Sequence, residues 1–251
     1  MILVEALCSD AARLYGDLQN IEYLRKSCTD IKVIEDSLWG KPYFAENTPD
    51  LIYLGSTTEN GQAYIIKNLL PYRERLRKMI DGGVHFLITG NALEIFGREI
   101  INADGTSLKG LDLLPISTKR DMHKRYNALY LGTFEDETEK MRIVGFKSQF
   151  GHSFWQTDDI CGWFATDRGD GLNPEISAEG IRINNFTATY LIGPLLILNP
   201  PLAKWLLKQL GAESPKLAFE NDAIAAYEAR IREYSDPKCE FYSKLRLIEN
   251  A

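Results

Sequence analysis

Cysteine and histidine are scarce in this sequence, and neither residue type forms a recognisable cluster. The chain of 251 residues has three histidines and four cysteines, with no CxxC pair and no metal-ligand spacing. Scattered cysteines in a chain of this length favour reduced thiols in a cytoplasmic protein. This scarcity predicts no metal site, and we expect no other cofactor either.

Long apolar runs are also missing. The longest apolar stretch near the C-terminal end, residues 190–201, contains three prolines and a glycine, so it is too broken to span a bilayer. The N-terminus has no basic region ahead of its first apolar run, and acidic Glu5 and Asp10 follow closely. This pattern predicts neither a signal peptide nor a membrane segment.

Positive charge is in deficit as well. The net charge of −6 argues against broad binding to nucleic acid or to an anionic membrane surface, although a local basic pocket for a small anion stays open. Hydrophobic residues make up 45% and charged residues 25%, as in ordinary soluble domains. We expect one domain over residues 1–251, with a core at about 1–211 and a C-terminal helix at about 221–234.

Strands alternate with helices in the first hundred residues, which predicts an α/β fold with a parallel sheet between layers of helices. The expected strands are residues 2–8, 31–34, 50–55 and 84–88, and the expected helices begin near residues 17, 62 and 71. The pattern changes after the turn at Asp104-Gly105. Strands are then expected at 126–134, 141–146 and 180–191, followed by helices from 199 and at 223–234.

The most informative stretch is a strand, a sharp turn and a helix in residues 84–96. The apolar strand ends at Ile88, the turn reads Thr89-Gly90-Asn91, and a helix is expected over 92–96. Many α/β enzymes expose a nucleophile on such a turn, beside backbone N–H donors of the helix. This turn has neither cysteine nor serine, so the arrangement of a catalytic elbow is present without its nucleophile.

Several other segments accompany this elbow. They are LYGDLQN at residues 14–20 with Arg25, DLIYLG at 50–55 with Gln62, VGF at 144–146, and TYLIGPLL at 189–196 with Asn199-Pro200. Together, from about residue 14 to 211 and more loosely to 234, they resemble class I glutamine amidotransferases of the CobB/CobQ-like branch. Within it they are most similar to the glutaminase subunits of lipid II isoglutaminyl synthases. The resemblance implies a flavodoxin-like domain whose central, mainly parallel sheet has helices on both faces.

The resemblance also shows what this chain lacks. The family elbow reads approximately ICGGYQxLG, and setting Gly97 on its last glycine puts Gly90 at the position of the catalytic cysteine and Glu94 at that of the glutamine. The family histidine lies in TYLHGPLL, where this chain has Ile192. Ser56 falls within a segment that the family usually builds from three glycines. Gly90 and Ile192 are therefore interpreted as vestigial catalytic positions.

Two losses of this kind remove the chemistry of amide hydrolysis. A glycine offers no nucleophile and an isoleucine carries no proton, and losing one member of such a unit typically costs ~10⁴-fold or more in rate. We therefore expect a catalytically degenerate homologue that serves as a subunit or regulator of a ligase or synthetase. The resemblance suggests a Mur-ligase-like partner.

A second hypothesis is a stand-alone small-molecule binder or enzyme that uses the remodelled pocket. Its candidate ligand-binding residues are Ser56, Thr89, Asn91, Glu94 and Gln149. Thr89 is alternatively a substitute nucleophile or, as we favour, a hydroxyl bonded to the turn backbone. Asn91 and Glu94 either contact a ligand or act as a helix cap and an ordinary first-turn carboxylate.

Two further features allow two interpretations each, and a third hypothesis, a catalytic dyad, finds no support. The basic run at residues 119–125, which includes His123, binds an anionic or carboxylate ligand or forms a solvated loop. A dyad of His152 and Cys161 has no support from spacing. The aromatic residues Trp155, Trp163 and Phe164 form a core or an exposed partner surface, and packing is the more frequent explanation.

Overall fold

The computed structural model describes residues 1–157 and 161–242. Its strands are β1 (Ile2–Ala6), β2 (Ile31–Glu35), β3 (Leu51–Leu54), β4 (His85–Thr89), β5 (Glu99–Asn102), β6 (Ser107–Lys109), β7 (Ile116–Arg120), β8 (Tyr126–Glu135), β9 (Lys140–Gln149), β10 (Gly151–Trp155), β11 (Phe164–Arg168), β12 (Ala178–Glu179), β13 (Ile181–Ile183) and β14 (Phe186–Thr189). Its α-helices are α1 (Gln19–Ser27), α2 (Glu59–Leu69), α3 (Arg73–Asp81), α4 (Leu93–Phe96), α5 (Leu195–Leu198), α6 (Pro200–Gln209) and α7 (Glu220–Ser235).

A six-stranded sheet forms the centre, in the order β13-β14-β4-β3-β1-β2. Every neighbouring pair from β14 to β2 is parallel, and β13 joins β14 antiparallel at the edge. Parallel neighbours need crossover connections, and α2 and α3 supply one between β3 and β4. The predicted α/β fold with a mainly parallel sheet is confirmed.

Both faces of this sheet are covered by helices. Ile52 and Leu54 of β3 belong to a buried cluster with residues of α2, α3 and α4, whereas Leu51 and Tyr53 belong to another with α1, α5 and α6. Successive side chains of a strand point to opposite faces, so one continuous apolar strand contributes to two cores. The expected placement of helices on both faces is therefore confirmed.

The chain between β4 and β13 adds two smaller sheets. Strands β12-β11-β8-β9 form an antiparallel sheet, and β10-β7-β5-β6 form a mixed one. Strands β5, β6, β7, β10, β11 and β12 were not expected from the sequence. The expected strand at 180–191 is wrong as a single element, because Asn184, at φ 52°, and Asn185 turn it into the β13–β14 hairpin.

Helix α7 lies against the antiparallel sheet. Tyr227 of α7 is buried with Leu131 and Val144 in a small cluster, and its hydroxyl donates to the Arg142 carbonyl oxygen. The expected C-terminal helix is confirmed, with ends close to those predicted. In the described part of the chain, no helix is both long and apolar enough to cross a membrane.

Candidate functional site

The elbow at the end of β4 has the expected form. Residues 90–92 form a 3-10 turn between β4 and the single-turn helix α4, and Gly90 has a φ of +63°. This left-handed conformation is strained for any residue with a Cβ, and such strain is typical of nucleophile elbows. The backbone of a catalytic turn is thus present around a residue that has no side chain.

The space beside Gly90 is already filled. A Cβ at Gly90 would lie 2.9 Å from Ser56 Cβ and 3.0 Å from Ile192 Cγ2, and it would overlap Ser56 Oγ. Ser56 and Ile192 are 2% and 1% exposed. The two residues that depart from the family pattern on either side of the turn therefore occupy the volume where a side chain at position 90 would project.

Asp17 is the carboxylate nearest to this filled space. Asp17 Oδ2 accepts hydrogen bonds from the Ser56 amide at 2.9 Å, from Ser56 Oγ at 2.5 Å and from Thr89 Oγ1 at 2.9 Å. Burial raises the pKa of Asp17, and the hydrogen bonds from Ser56 oppose that rise. Asp17 lies in the LYGDLQN segment, but spacing alone gave no indication that it would join residues 56 and 89.

Thr89 is fully buried and has its hydroxyl in this same network. Besides donating to Asp17, Thr89 Oγ1 lies 3.1 Å from the Tyr53 hydroxyl. The expectation that Thr89 would bond the turn backbone is wrong, because its partners are side chains. A hydroxyl that donates to a buried carboxylate has a potential base beside it, yet it lies in a closed interior without access to an amide substrate.

Asn91 holds the neighbouring loop. Its Oδ1 accepts from the Thr57 amide at 3.0 Å, and its Nδ2 donates to the Thr57 carbonyl oxygen at 2.8 Å. The expectation that Asn91 caps the helix is wrong, because α4 begins after Ala92 and has no side-chain cap. The loop that the family builds from glycines is fastened here by a side chain of the elbow.

Glu94 is a buried carboxylate and not the ordinary first-turn residue of one expectation. It is 2% exposed, and it accepts from Gln62 Nε2 at 2.9 Å and from the Tyr190 hydroxyl at 3.0 Å. Burial raises its pKa to about 7, against the hydrogen bond from Gln62 and the positive charge of Arg120. Near neutral pH this side chain therefore exists in both protonation states.

Arg120 completes the group around Glu94. Its Nη1 donates to Gln62 Oε1 at 2.6 Å and its Nε to Asn102 Oδ1 at 3.0 Å, while only 8% of the residue is exposed. The solvated-loop reading of the basic run is wrong for Arg120, which ends β7, and it fits the exposed turn that carries His123. The only signal in the sequence is the alternation of Ile116, Thr118 and Arg120, which places the arginine on the buried face of a strand.

The remaining candidates take no part in the hydrogen bonds of Ser56 and Thr89 with Asp17, although β9, which Gln149 ends, packs against the turn at residues 90–92. Gln149 ends β9, where its Nε2 donates to the Gly151 carbonyl oxygen at 2.6 Å; its Oε1 is buried without a hydrogen-bond partner in the described residues. His152 pairs with Lys119 between β10 and β7, whereas Cys161 forms an isolated bridge with Arg182 of β13. His152 and Cys161 thus belong to different sheets, which gives a dyad no support.

The aromatic residues are packing elements. Trp163 and Phe164 are 4% and 1% exposed and stack at 4.3 Å between ring centroids, and Trp155 packs against the first core. Their expected role in a core is confirmed. Within residues 1–157 and 161–242, no group of three or more histidine, cysteine or acidic side chains is placed to hold a metal ion.

The arrangement defines a glutamine amidotransferase domain. Residues 4–198 match the sequence model of the CobB/CobQ-like glutamine amidotransferase domain, and the chain belongs to that family. The lipid II isoglutaminyl synthase (glutamine-hydrolyzing) subunit GatD of Staphylococcus aureus strain N315 is 27% identical over 245 residues, which cover 97% of this chain and 93% of the relative. GatD of Streptococcus pneumoniae strain R6 is 26% identical over 244 residues, covering 90% of each chain.

Solved structures agree with the fold. A crystal structure of a glutamine amidotransferase superposes with a TM-score of 0.54 at 15% identity, covering 83% of this chain and 99% of the other. The structure of PurLQS from Thermotoga maritima gives 0.53 at 10% identity, covering 92% and 99%. Similarity at this level of identity supports the predicted class I glutamine amidotransferase fold and says nothing further about activity.

Proposed function

We propose that this chain is a catalytically degenerate glutamine amidotransferase homologue that serves as a subunit or regulator of a cytoplasmic ligase or synthetase. The observation that carries the proposal is the filled space beside Gly90. Loss of a nucleophile alone would leave a vacancy, whereas Ser56 and Ile192 pack into the space on both sides of it. Amide hydrolysis then lacks both the attacking group and the room for one.

The histidines support the same conclusion. His85 begins β4 and lies 3.3 Å from Asn185 Nδ2, His123 is on an exposed turn, and His152 is on β10. None of them joins the hydrogen bonds that the described residues form around Gly90. Among the described residues, the elbow therefore has no histidine in the role of the general base and acid that cysteine-dependent amide hydrolysis uses.

The subunit role rests on the relatives. Both GatD proteins are named as subunits of a larger synthase, and the similarity spans nearly the whole of this chain. Filling the space beside Gly90 leaves the fold intact, so the outer surface of the domain stays available for binding to a partner. A ligase of the Mur-ligase-like type is the partner that we propose.

The first test measures ammonia release from glutamine. The purified chain should release no more ammonia than a Thr89→Val variant does. Ammonia release that disappears in Thr89→Val or Asp17→Asn would contradict the proposal, because it would show that the buried hydroxyl and carboxylate are catalytic.

The second test rebuilds the site. Gly90→Cys combined with Ser56→Gly and Ile192→His frees the volume and supplies nucleophile and base, whereas Gly90→Cys with Ile192→His leaves Ser56 in place as the matched control. If the filled space is what blocks function, thiol labelling at position 90 should be at least tenfold faster in the triple variant than in the control. Equal labelling would show that the space is accessible as it stands.

The partner is tested by purification of the tagged chain from its native cells under conditions that preserve weak complexes. A stoichiometric ligase should co-elute, and adding the chain to that ligase should change its rate with ammonia as the nitrogen source. Recovery of the chain alone, or a ligase that is indifferent to it, would remove the subunit role.

The alternative of a stand-alone binder at the elbow has less support. Ser56, Thr89, Asn91 and Glu94 direct their polar atoms to protein groups, and of the five candidates Gln149 alone has a side-chain oxygen, Oε1, that is buried without a hydrogen-bond partner in the described residues. A ligand there would have to break these hydrogen bonds, each of which contributes about 1 kcal/mol.

A further inference from the structure

A cavity beside the elbow is unused by the proposed function. It has a volume of about 400 Å³, within the range of small-molecule sites, and lies between the ends of β5, β7 and β10. Its walls include the rings of Tyr126, Phe150 and Phe154 together with Ile101 and Pro174. Neither Gly90 nor Glu94 lines it, so it is separate from the filled catalytic space.

Arg120 supplies a buried cation to this cavity. It lines the cavity and also a second one of about 340 Å³, which shares Asn102, Ala103 and Asp121 with the first. Within the described residues, no carboxylate lies within 4.0 Å of the Arg120 guanidinium, and its two hydrogen bonds go to the neutral amides of Gln62 and Asn102. A guanidinium has five N–H donors, so most of its hydrogen-bonding capacity remains for a ligand.

The guanidinium is held in place before any ligand arrives. The Gln62 amide is oriented because its oxygen accepts from Arg120 while its nitrogen donates to Glu94 and to the Asn91 carbonyl oxygen. Burial removes water that would otherwise weaken the field of the charge. A fixed, desolvated guanidinium beside a cavity binds a carboxylate at little entropic cost.

The other charged groups at the cavity restrict the choice of ligand. Lys119 lies over the Phe154 ring at 4.8 Å, and Asp121 and Glu175 also line the walls. Asp121 Oδ1 accepts from the His123 amide, so part of that carboxylate is used within its own turn. Arg125 lies over the Phe150 ring at 4.6 Å, so three cations and two carboxylates surround the cavity, and a ligand with a single negative charge fits this balance better than a nucleotide.

We propose that this cavity binds a small carboxylic acid with an aromatic ring. The carboxylate would pair with Arg120, and the ring would lie among Tyr126, Phe150 and Phe154. Aromatic side chains favour offset or edge contacts with another ring, and the cavity is large enough for one or two fused rings. The site does not depend on the proposed subunit role, and each can fail without the other.

Isothermal titration calorimetry with four probes tests separately whether the ligand needs a carboxylate and whether it needs an aromatic ring. Indole-3-acetate and benzoate have both a ring and a carboxylate, acetate has only the carboxylate, and indole-3-carbinol has only the ring. Saturable binding of indole-3-acetate, at least tenfold tighter than that of acetate and of indole-3-carbinol, is the expected result. Equal binding of the carbinol, or no saturation by either aromatic acid at millimolar concentration, would overturn the proposal.

Substitutions test whether indole-3-acetate binds in this cavity. Arg120→Met should weaken indole-3-acetate at least tenfold, whereas Arg98→Gln, at an exposed arginine paired with Asp112, should leave it unchanged. Should Arg120→Met fail to fold, Ala103→Trp carries the test, because the exposed Ala103 lines both cavities and a bulky ring there blocks them without removing charge. Unaltered affinity in Ala103→Trp would refute the site.

Discussion

Gly90 is the residue on which the proposed inactivity of the elbow rests. Gly90→Cys should lower the free energy of unfolding by about 2–4 kcal/mol, because a side chain there combines left-handed strain with overlap against Ser56 and Ile192. Chemical denaturation measures the loss. Gly105→Cys is the matched control, since Gly105 has a φ of +84° but open space around it, and it should cost only the backbone strain of about 1–2 kcal/mol.

A double variant tests whether the larger stability loss of Gly90→Cys comes from overlap with Ser56. Adding Ser56→Gly to Gly90→Cys should cost less than the sum of the single changes, because the serine is the group in the way. Strict additivity of the two changes would show that the volume is not shared.

Glu94 makes stability depend on pH near neutrality. Its pKa is raised by burial to about 7 from 4.5, so the folded chain binds a proton more tightly than the unfolded chain. The resulting stabilisation is complete below about pH 4.5 and is lost as the pH rises through 7. Glu94→Gln removes this dependence, and it should increase the free energy of unfolding at pH 8 by up to about 3 kcal/mol relative to its effect at pH 5.

Thermal denaturation of both proteins at pH 5 and pH 8 measures the effect of Glu94. Glu99→Gln serves as control, because Glu99 pairs with Lys109 at the surface and should change little at either pH. A Glu94→Gln variant with the same pH profile as the parent protein would mean that Glu94 keeps one protonation state throughout.

At the residue scale, the sequence motifs located Gly90 and Ile192 as departures from the family pattern, but they did not indicate which side chains would contact these positions. Gly90 and Ile192 were found because short motifs fix their positions in the chain. The contact of Ser56 with position 90 crosses 34 residues, and the bond from Thr89 to Asp17 crosses 72. Contacts between distant segments follow from the folded sheet, in which the ends of β3 and β4 are neighbours, and no local pattern contains them.

Among the elements, the elbow and the loop after β3 behave as one unit. Asn91→Ala leaves the Thr57 amide and carbonyl groups, in a residue only 2% exposed, without their partner. The free energy of unfolding should fall by about 1–3 kcal/mol. Denaturant titration measures this, and Asn47→Ala, whose exposed amide donates to the Tyr43 carbonyl oxygen, should cost less than about 0.5 kcal/mol.

A small loss in Asn91→Ala, equal to that in Asn47→Ala, would mean that the loop holds its shape without the elbow. Hydrogen exchange of the Thr57 amide distinguishes a released loop from one that keeps its shape, because release should make this exchange faster.

Element prediction succeeded where periodicity was strong. Apolar runs bounded by turns located β1 to β4, and amphipathic spacing located α1, α3, α6 and α7. The strands of the two smaller sheets were missed where they are short and mix polar with apolar residues, as in Ser107–Lys109 and Gly151–Trp155. Such strands are stabilised by their cross-strand partners, which the local sequence does not reveal.

For the molecule as a whole, the attachment of α7 depends on Arg168. Its guanidinium donates to the carbonyl oxygens of Tyr234, Asp236 and Cys239 and lies over the Phe241 ring at 4.3 Å. Arg168→Met should leave the central sheet folded while releasing the segment after α7. Trypsin cleavage after Lys238 should then be about tenfold faster or more, because several charged hydrogen bonds oppose local opening.

Mass spectrometry of the released peptide measures that rate. Arg232→Met is the control, since Arg232 lies on α7 itself in an exposed pair with Glu228 and contributes little. Identical cleavage of the two variants would show that α7 and its following segment are retained by the apolar cluster around Tyr227 alone.

The filled volume beside Gly90 also determines how the proposed loss of activity could be reversed. A cysteine regained at position 90 meets Ser56, a glycine regained at 56 leaves the Asp17 carboxylate with fewer donors, and a histidine regained at 192 finds no thiol to activate. Each reversion is thus unfavourable or useless until the others have occurred. Under the proposed function, single substitutions that restore glutamine hydrolysis step by step are therefore expected to pass through less stable intermediates.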